Sequence, residues 1–149
     1  MELSEVKRLM KNLSWNMPKE VQLSAIRELT TIDDEYTPLL IQDTEKHCWE
    51  NAVKVLNKIG YPRNRLAIPY LIELMQDMNW PGVPTAIEIL KSIDKSVIVP
   101  HIEASLIKAA EDDDRMWIGG IQRLIDILQI SESDFHDKEV YKLLKLSDW

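Results

Sequence analysis

The sequence predicts an all-α chain in which antiparallel helix pairs stack one on the next. Three observations support this: prolines at a fixed interval, tryptophans on nearly the same beat, and apolar residues at helical steps after each tryptophan. Pro38, Pro69 and Pro100 lie 31 and 31 residues apart, and Trp15, Trp49, Trp80, Trp117 and Trp149 are separated by 34, 31, 37 and 32. Only four glycines and one phenylalanine occur in 149 residues, which argues against the many hairpins of an all-β sandwich.

Taken in order, each unit shows its own ladder. Trp15 is followed by Ala25, Ile26, Leu29 and Ile32, and Trp49 by Val53, Leu56 and Ile59. Gly60 with Tyr61-Pro62 stops that second helix. Leu71, Ile72 and Met75 follow Pro69, and Ala86, Ile87, Leu90 and Ile93 follow Trp80. The run Val97-Ile98-Val99 is the best strand signal, but it precedes Pro100 and leads into the helical set Ile102, Leu106 and Ala109. Each of the three prolines suits a first helical turn, where no backbone N–H is needed. Ile121, Leu124, Ile125 and Leu128 follow Trp117, and Ser131-Glu132-Ser133-Asp134 offers cap residues before a last helix. That helix turns Val140, Tyr141, Leu143 and Leu144 towards the unit before it.

A two-helix unit of this length cannot bury its apolar side alone, so consecutive pairs must share a core. The prediction is therefore an α-solenoid, a HEAT/armadillo-like right-handed superhelix of about four pairs in a single domain. Residues 1–32 form an N-terminal cap unit, 33–131 the central repeats and 132–149 a C-terminal capping helix with a polar outer face. Thr37-Pro38-Leu39 matches an ankyrin opening, but Ile68 and Val99 stand before the other two prolines, so that pattern does not repeat.

The net charge of −7 disfavours nucleic acid and anionic membranes, whose affinity comes from Lys and Arg. The acid is spread along the chain: +1 for residues 1–32, then −3 for 33–60, −1 for 61–94, −2 for 95–131 and −2 for 132–149. Cys48 is the single cysteine, so no intrachain disulfide forms. The start Met1-Glu2-Leu3-Ser4-Glu5 has no signal-peptide character, and no apolar run is long enough for a membrane span. A cytoplasmic protein is the expectation.

The most distinctive run is Leu71 to Gly82, an apolar helix ending in Asp77-Met78-Asn79-Trp80-Pro81-Gly82. Asp114-Arg115-Met116-Trp117 repeats its Asp-x-x-Trp spacing. With these turns the sequence, over roughly residues 10 to 130, resembles a family of small bacterial HEAT-like proteins catalogued as a domain of unknown function, marked by an Asp-Met-Asn-Trp-Pro turn and a later Asp and Trp turn. The resemblance implies a helical-repeat fold and an interaction module, with no activity attached.

Two readings of the turns stand side by side. In one, Asp77 or Asn79 caps a helix start, Pro81 opens that helix, and the tryptophans staple neighbouring units. In the other, Asp77, Asn79, Trp80, Asp113, Asp114 and Trp117 line one edge that binds a basic peptide or protein. Catalytic inventory is thin: there are three histidines, no Gly-rich phosphate loop and no His-Glu-x-x-His. His47 and Cys48 are neighbours on a helix, some 100° apart around the axis, which argues against a nucleophile and base pair. Glu111-Asp112-Asp113-Asp114 and Asp33-Asp34-Glu35 lack calcium-loop spacing and read as solvated turns.

The expected function is a non-enzymatic protein–protein interaction module with an acidic, Trp-containing face, without cofactor or metal. The alternatives are an immunity or antitoxin-type protein neutralising a basic partner and, against the charge, a HEAT-like DNA glycosylase.

Overall fold

In the computed structural model, residues 1–147 are described. Trp149 and the end of the predicted capping helix lie outside them. The apolar ladders become helices: α1 (Leu3–Lys11), α2 (Lys19–Leu29), α3 (Leu39–Gln42) and α4 (Lys46–Ile59). Then come α5 (Ile68–Glu73), tightening into a 3-10 turn at Leu74–Gln76, and α6 (Val83–Lys91), α7 (Lys95–Glu111), α8 (Arg115–Leu128) and α9 (Lys138–Tyr141). Among the described residues there is no strand, and no helix is long and apolar enough to cross a membrane.

Even-numbered helices form one row, α2 on α4, α4 on α6 and α6 on α8. On the other side α3 meets α5 and α5 meets α7. The core lies between, where Ala25, Ile26, Leu29, Ile32, Val53, Leu56, Ala86, Leu90, Ile93, Ile121, Leu124 and Ile125 are buried, as the periodicity requires. Ile59, Ile87 and Leu128 pack against it partly exposed. A fully buried leucine or isoleucine contributes about 1.5–3 kcal/mol over its exposed state, so these ladders dominate the stability.

Three local expectations change. Pro100 does not open its helix but sits inside α7, because Asp94 caps an earlier start by accepting from the Ser96 amide. The Pro100 ring is on the exposed side, where water reaches the carbonyl that lacks a donor. Pro81 precedes α6 instead of starting it; Gly82 is the N-cap residue, at φ 90°, and Pro84 occupies the first turn. The segment from residue 132 is broken: a 3-10 turn at Glu132–Asp134, α9, then a 3-10 stretch Lys142–Leu146. Val140 and Leu144 are nonetheless buried, and Glu103 of α7 reaches across to accept from the His136 and Asp137 amides at 3.3 and 3.0 Å.

α8 approaches the 3-10 turn that ends α5 very closely. A Cβ built on Gly120 would stand 1.8 Å from the Met75 carbonyl oxygen, so the two main chains touch where only glycine fits.

At the other end of the helices, Arg63 closes the turn after α2. It donates to the Thr30 and Ile32 carbonyls at 3.1 and 2.6 Å and to Asp34 at 3.0 Å, while Arg65 reaches the same carboxylate at 3.2 Å. Partial desolvation pushes the Asp34 carboxyl up, but hydrogen bonds and charge from Arg65 and Arg63 outweigh it and hold it below its ordinary 3.8.

Gly120→Ala is expected to lose about 3 kcal/mol or more in urea unfolding, because a methyl group against a backbone carbonyl cannot be relieved by a rotamer change. Asp34→Asn is expected to lower the melting temperature at neutral pH. Since the folded-state ionisation is depressed, that contribution is present above about pH 4 and disappears as pH falls below it. Wild type and variant should then melt together in acid, read by circular dichroism.

Candidate functional site

The turns that lead into α2 and α6 are both held against the first turn of α4. In the turn before α2, the Trp15 amide donates to the His47 carbonyl of α4 at 3.0 Å. Beneath it lies a buried amide pair: Asn51 donates to Gln22 at 2.9 Å and to the Leu13 carbonyl at 2.7 Å, and Gln22 donates to Met17 at 2.7 Å. Buried amides must be satisfied, so these two fix the path of residues 13–17 over α4.

The turn at 77–82 is held to α4 in the same way. Trp49 and Trp80 meet edge to face, centroids 5.3 Å apart at 63°, and the Lys46 ammonium lies 5.0 Å above the Trp80 ring. The Trp49 indole donates to the Thr44 carbonyl at 3.3 Å. Gly82 is required here twice over: its φ is 90°, and a Cβ would come within 2.9 Å of Val53 Cγ2 and 3.0 Å of the Trp49 carbonyl oxygen.

The predicted site residues divide by what they touch. Asp77 accepts from the Asn79 amide at 2.8 Å, closing its own turn instead of capping α6, and the Asn79 side chain is exposed. Trp80 is partly buried against Trp49. Asp114 caps α8, accepting from the Trp117 amide at 3.0 Å. Asp113 is exposed at φ 51°, with its carboxylate 3.3 Å from Arg115. Trp117 is 3% exposed, and its indole donates to the Ile72 carbonyl at 3.1 Å. The shared Asp-x-x-Trp spacing thus serves different ends. Asp114 is a side-chain cap, whereas Asp77 joins Trp80 through its main-chain carbonyl, at 3.0 Å.

Two surface residues at these turns were not foreseen: Trp15, 53% exposed, and Met116, 51% exposed. In the sequence Trp15 is visible only as a member of the repeat; it stands in the turn before α2, with its ring centroid 6.4 Å from that of His47. The helical-angle argument about His47 and Cys48 also needs correction, because Cys48 Sγ lies 3.5 Å from His47 Nδ1. Both stand in the first turn of α4, where side chains lean back towards the N-terminus and converge over the preceding loop. Among the described residues no group of three or more His, Cys, Asp or Glu is placed to hold a metal ion.

Comparison with known proteins gives one family. The model of a family described as "Domain of unknown function (DUF5071)" matches residues 43–146, from the turn before α4 to the end of the last 3-10 stretch. No curated protein and no solved structure matches.

Replacing Trp117 by Phe removes the indole N–H and with it the side-chain bond to the Ile72 carbonyl in the core. A loss of about 1–3 kcal/mol in chemical denaturation is expected, against less than about 0.5 kcal/mol for Trp15→Phe at the surface.

Proposed function

This chain belongs to the DUF5071 family, and on that footing we propose that it is a non-enzymatic protein-binding module whose partner is a basic protein or peptide. We infer, too, that its two rows of helices make a HEAT-like superhelix over a single domain, with the pair α1 and α2 closing one end and the segment from residue 132 the other. The continuous even-numbered row supports this, since each helix contacts the next of its kind.

The observation that carries the binding reading is the composition of the turn edge. Exposed Trp15 and Met116 and the partly buried Trp49–Trp80 pair lie on or beside turns that also carry the exposed Glu45, Asn79, Asp112 and Asp113 and the partly exposed Asp77. Amphipathic rings flanked by acids match a partner that combines Lys or Arg with apolar side chains. The internal ion pairs on this edge, Arg115 with Asp113 and Lys7 with Asp43, are exposed and weak, so a partner's cations can replace them. Trp117 acts from behind, holding the edge in place.

Asn79 and Asp113 are the residues to change, because Asp77 and Asp114 are occupied by backbone amides and their replacement would disturb the turns. Panning a random-peptide display library on the wild-type chain is expected to enrich sequences with Lys or Arg beside apolar residues, and Asn79→Lys combined with Asp113→Lys is expected to abolish that enrichment. Enrichment of acidic or uncharged sequences, or the same basic set on both proteins, would contradict the assignment.

A further inference from the structure

A cleft of about 350 Å³ opens between α1 and the first turn of α4, lined by Lys7, Met10, Lys11, Asp43, His47 and Cys48. It holds the only thiol of the chain in contact with a base. Cys48 Sγ is 3.5 Å from His47 Nδ1, and the other ring nitrogen is 3.0 Å from a Glu45 carboxylate oxygen. Ser14 Oγ, which accepts from the Asn16 amide, is 2.9 Å from Nδ1. In the tautomer in which Glu45 accepts from Nε2–H, Nδ1 is the acceptor nitrogen and faces Ser14 and Cys48. Cys48 itself is only 3% exposed, and burial pushes its thiol up, so the sulfur carries its proton until a base removes it.

The walls of the cleft specify a ligand. Met10 gives an apolar side. Lys7 is paired with Asp43 at 3.7 Å, whereas Lys11, exposed, has no ion pair among the described residues. Its ammonium is available to a carboxylate.

We propose that Cys48 is a site of thiol–disulfide exchange with a small carboxylate-bearing disulfide seated in this cleft. Sγ attacks one sulfur of the incoming disulfide while His47 Nδ1 takes the thiol proton. The S–S bond of the small molecule breaks as the new one forms, and the departing thiolate recovers the proton from His47. Cys48 ends as a mixed disulfide, and the released half is reduced to a thiol.

The test uses the full chain and two reagents followed by absorbance: dithiobis-nitrobenzoate, a dianion, and dithiodipyridine, which is neutral. Relative to the urea-unfolded chain, the folded protein is expected to favour the dianion by about threefold or more. Lys7→Gln with Lys11→Gln should return that preference to the unfolded value and leave the neutral reagent unaffected. His47→Gln should slow both reagents about tenfold or more. The lysine changes are on exposed residues and test the cleft independently of any effect of His47→Gln on folding. Rates that are equal for both reagents and limited by unfolding, an unfolded-like preference in the folded chain, or an unchanged rate in His47→Gln would each overturn the proposal.

Discussion

Contact between the main chains of α8 and α5 is the constraint on which most of this molecule depends. At Gly120 the helix lies so close to Met75 that a Cβ would fall 1.8 Å from its carbonyl oxygen, and one helical turn earlier Trp117 donates its indole N–H to the Ile72 carbonyl. These carbonyls stand where α5 tightens into the 3-10 turn Leu74–Gln76, and the Ile72 oxygen accepts from the indole as well as from a main-chain amide of the helix end. An indole and a bare glycine on one side of α8 meet them: one supplies a donor, the other leaves room. The position of the 77–82 turn follows, because the chain leaves the 3-10 turn directly into it. Trp80 is then carried onto Trp49.

The distribution of charge has a related cause. The turns entering α2, α4, α6 and α8 lie at the positive ends of those helices, where carboxylates are favoured, and Glu45, Asp112, Asp113 and Asp114 occupy them. At the opposite ends stand Arg27, Lys58 and Lys91, each in the last turn of its helix. In a chain of net charge −7, this places Glu45, Asp112 and Asp113 on the same edge as the exposed Trp15. Complementarity to the helices explains why acids are there; it does not explain an open Trp15 beside them, and that ring is what favours a partner.

Much of the architecture was legible because apolar periodicity reports burial directly. Leu29, Leu56, Leu90 and Leu124 are all within the core, and Gly60 ends α4 as its sequence context required. What escaped were features set by tertiary neighbours. Pro100 was read as a helix start because a proline is locally best placed there, yet Asp94, six residues earlier, supplies the cap from which α7 starts. The bonding of Arg63 to carbonyls some thirty residues away leaves no local pattern. Among the candidate site residues, Asp77, Asn79 and Trp80 belong to a motif legible in the sequence, but the motif was silent on exposure. Identical Asp-x-x-Trp spacing produced a partly buried Trp80 and a locked Trp117, since only the Trp117 indole reaches a core carbonyl, that of Ile72. The convergence of Cys48 on His47 was hidden for a similar reason: a helical wheel describes angles around the axis and omits the tilt of side chains in a first turn.

The account rests on the division of labour among the tryptophans, and hydrogen exchange of the indole N–H groups, followed by NMR of a chain labelled with nitrogen-15 in tryptophan, tests it most directly. Trp117, 3% exposed and bonded to Ile72, should exchange only at the rate of global unfolding. Trp15, 53% exposed, should exchange before the first spectrum, with Trp49, bonded to Thr44 at 3.3 Å, between them. Exchange of Trp117 as fast as Trp15 would contradict the account, for it would mean that the contact between α8 and α5 does not hold the edge in place.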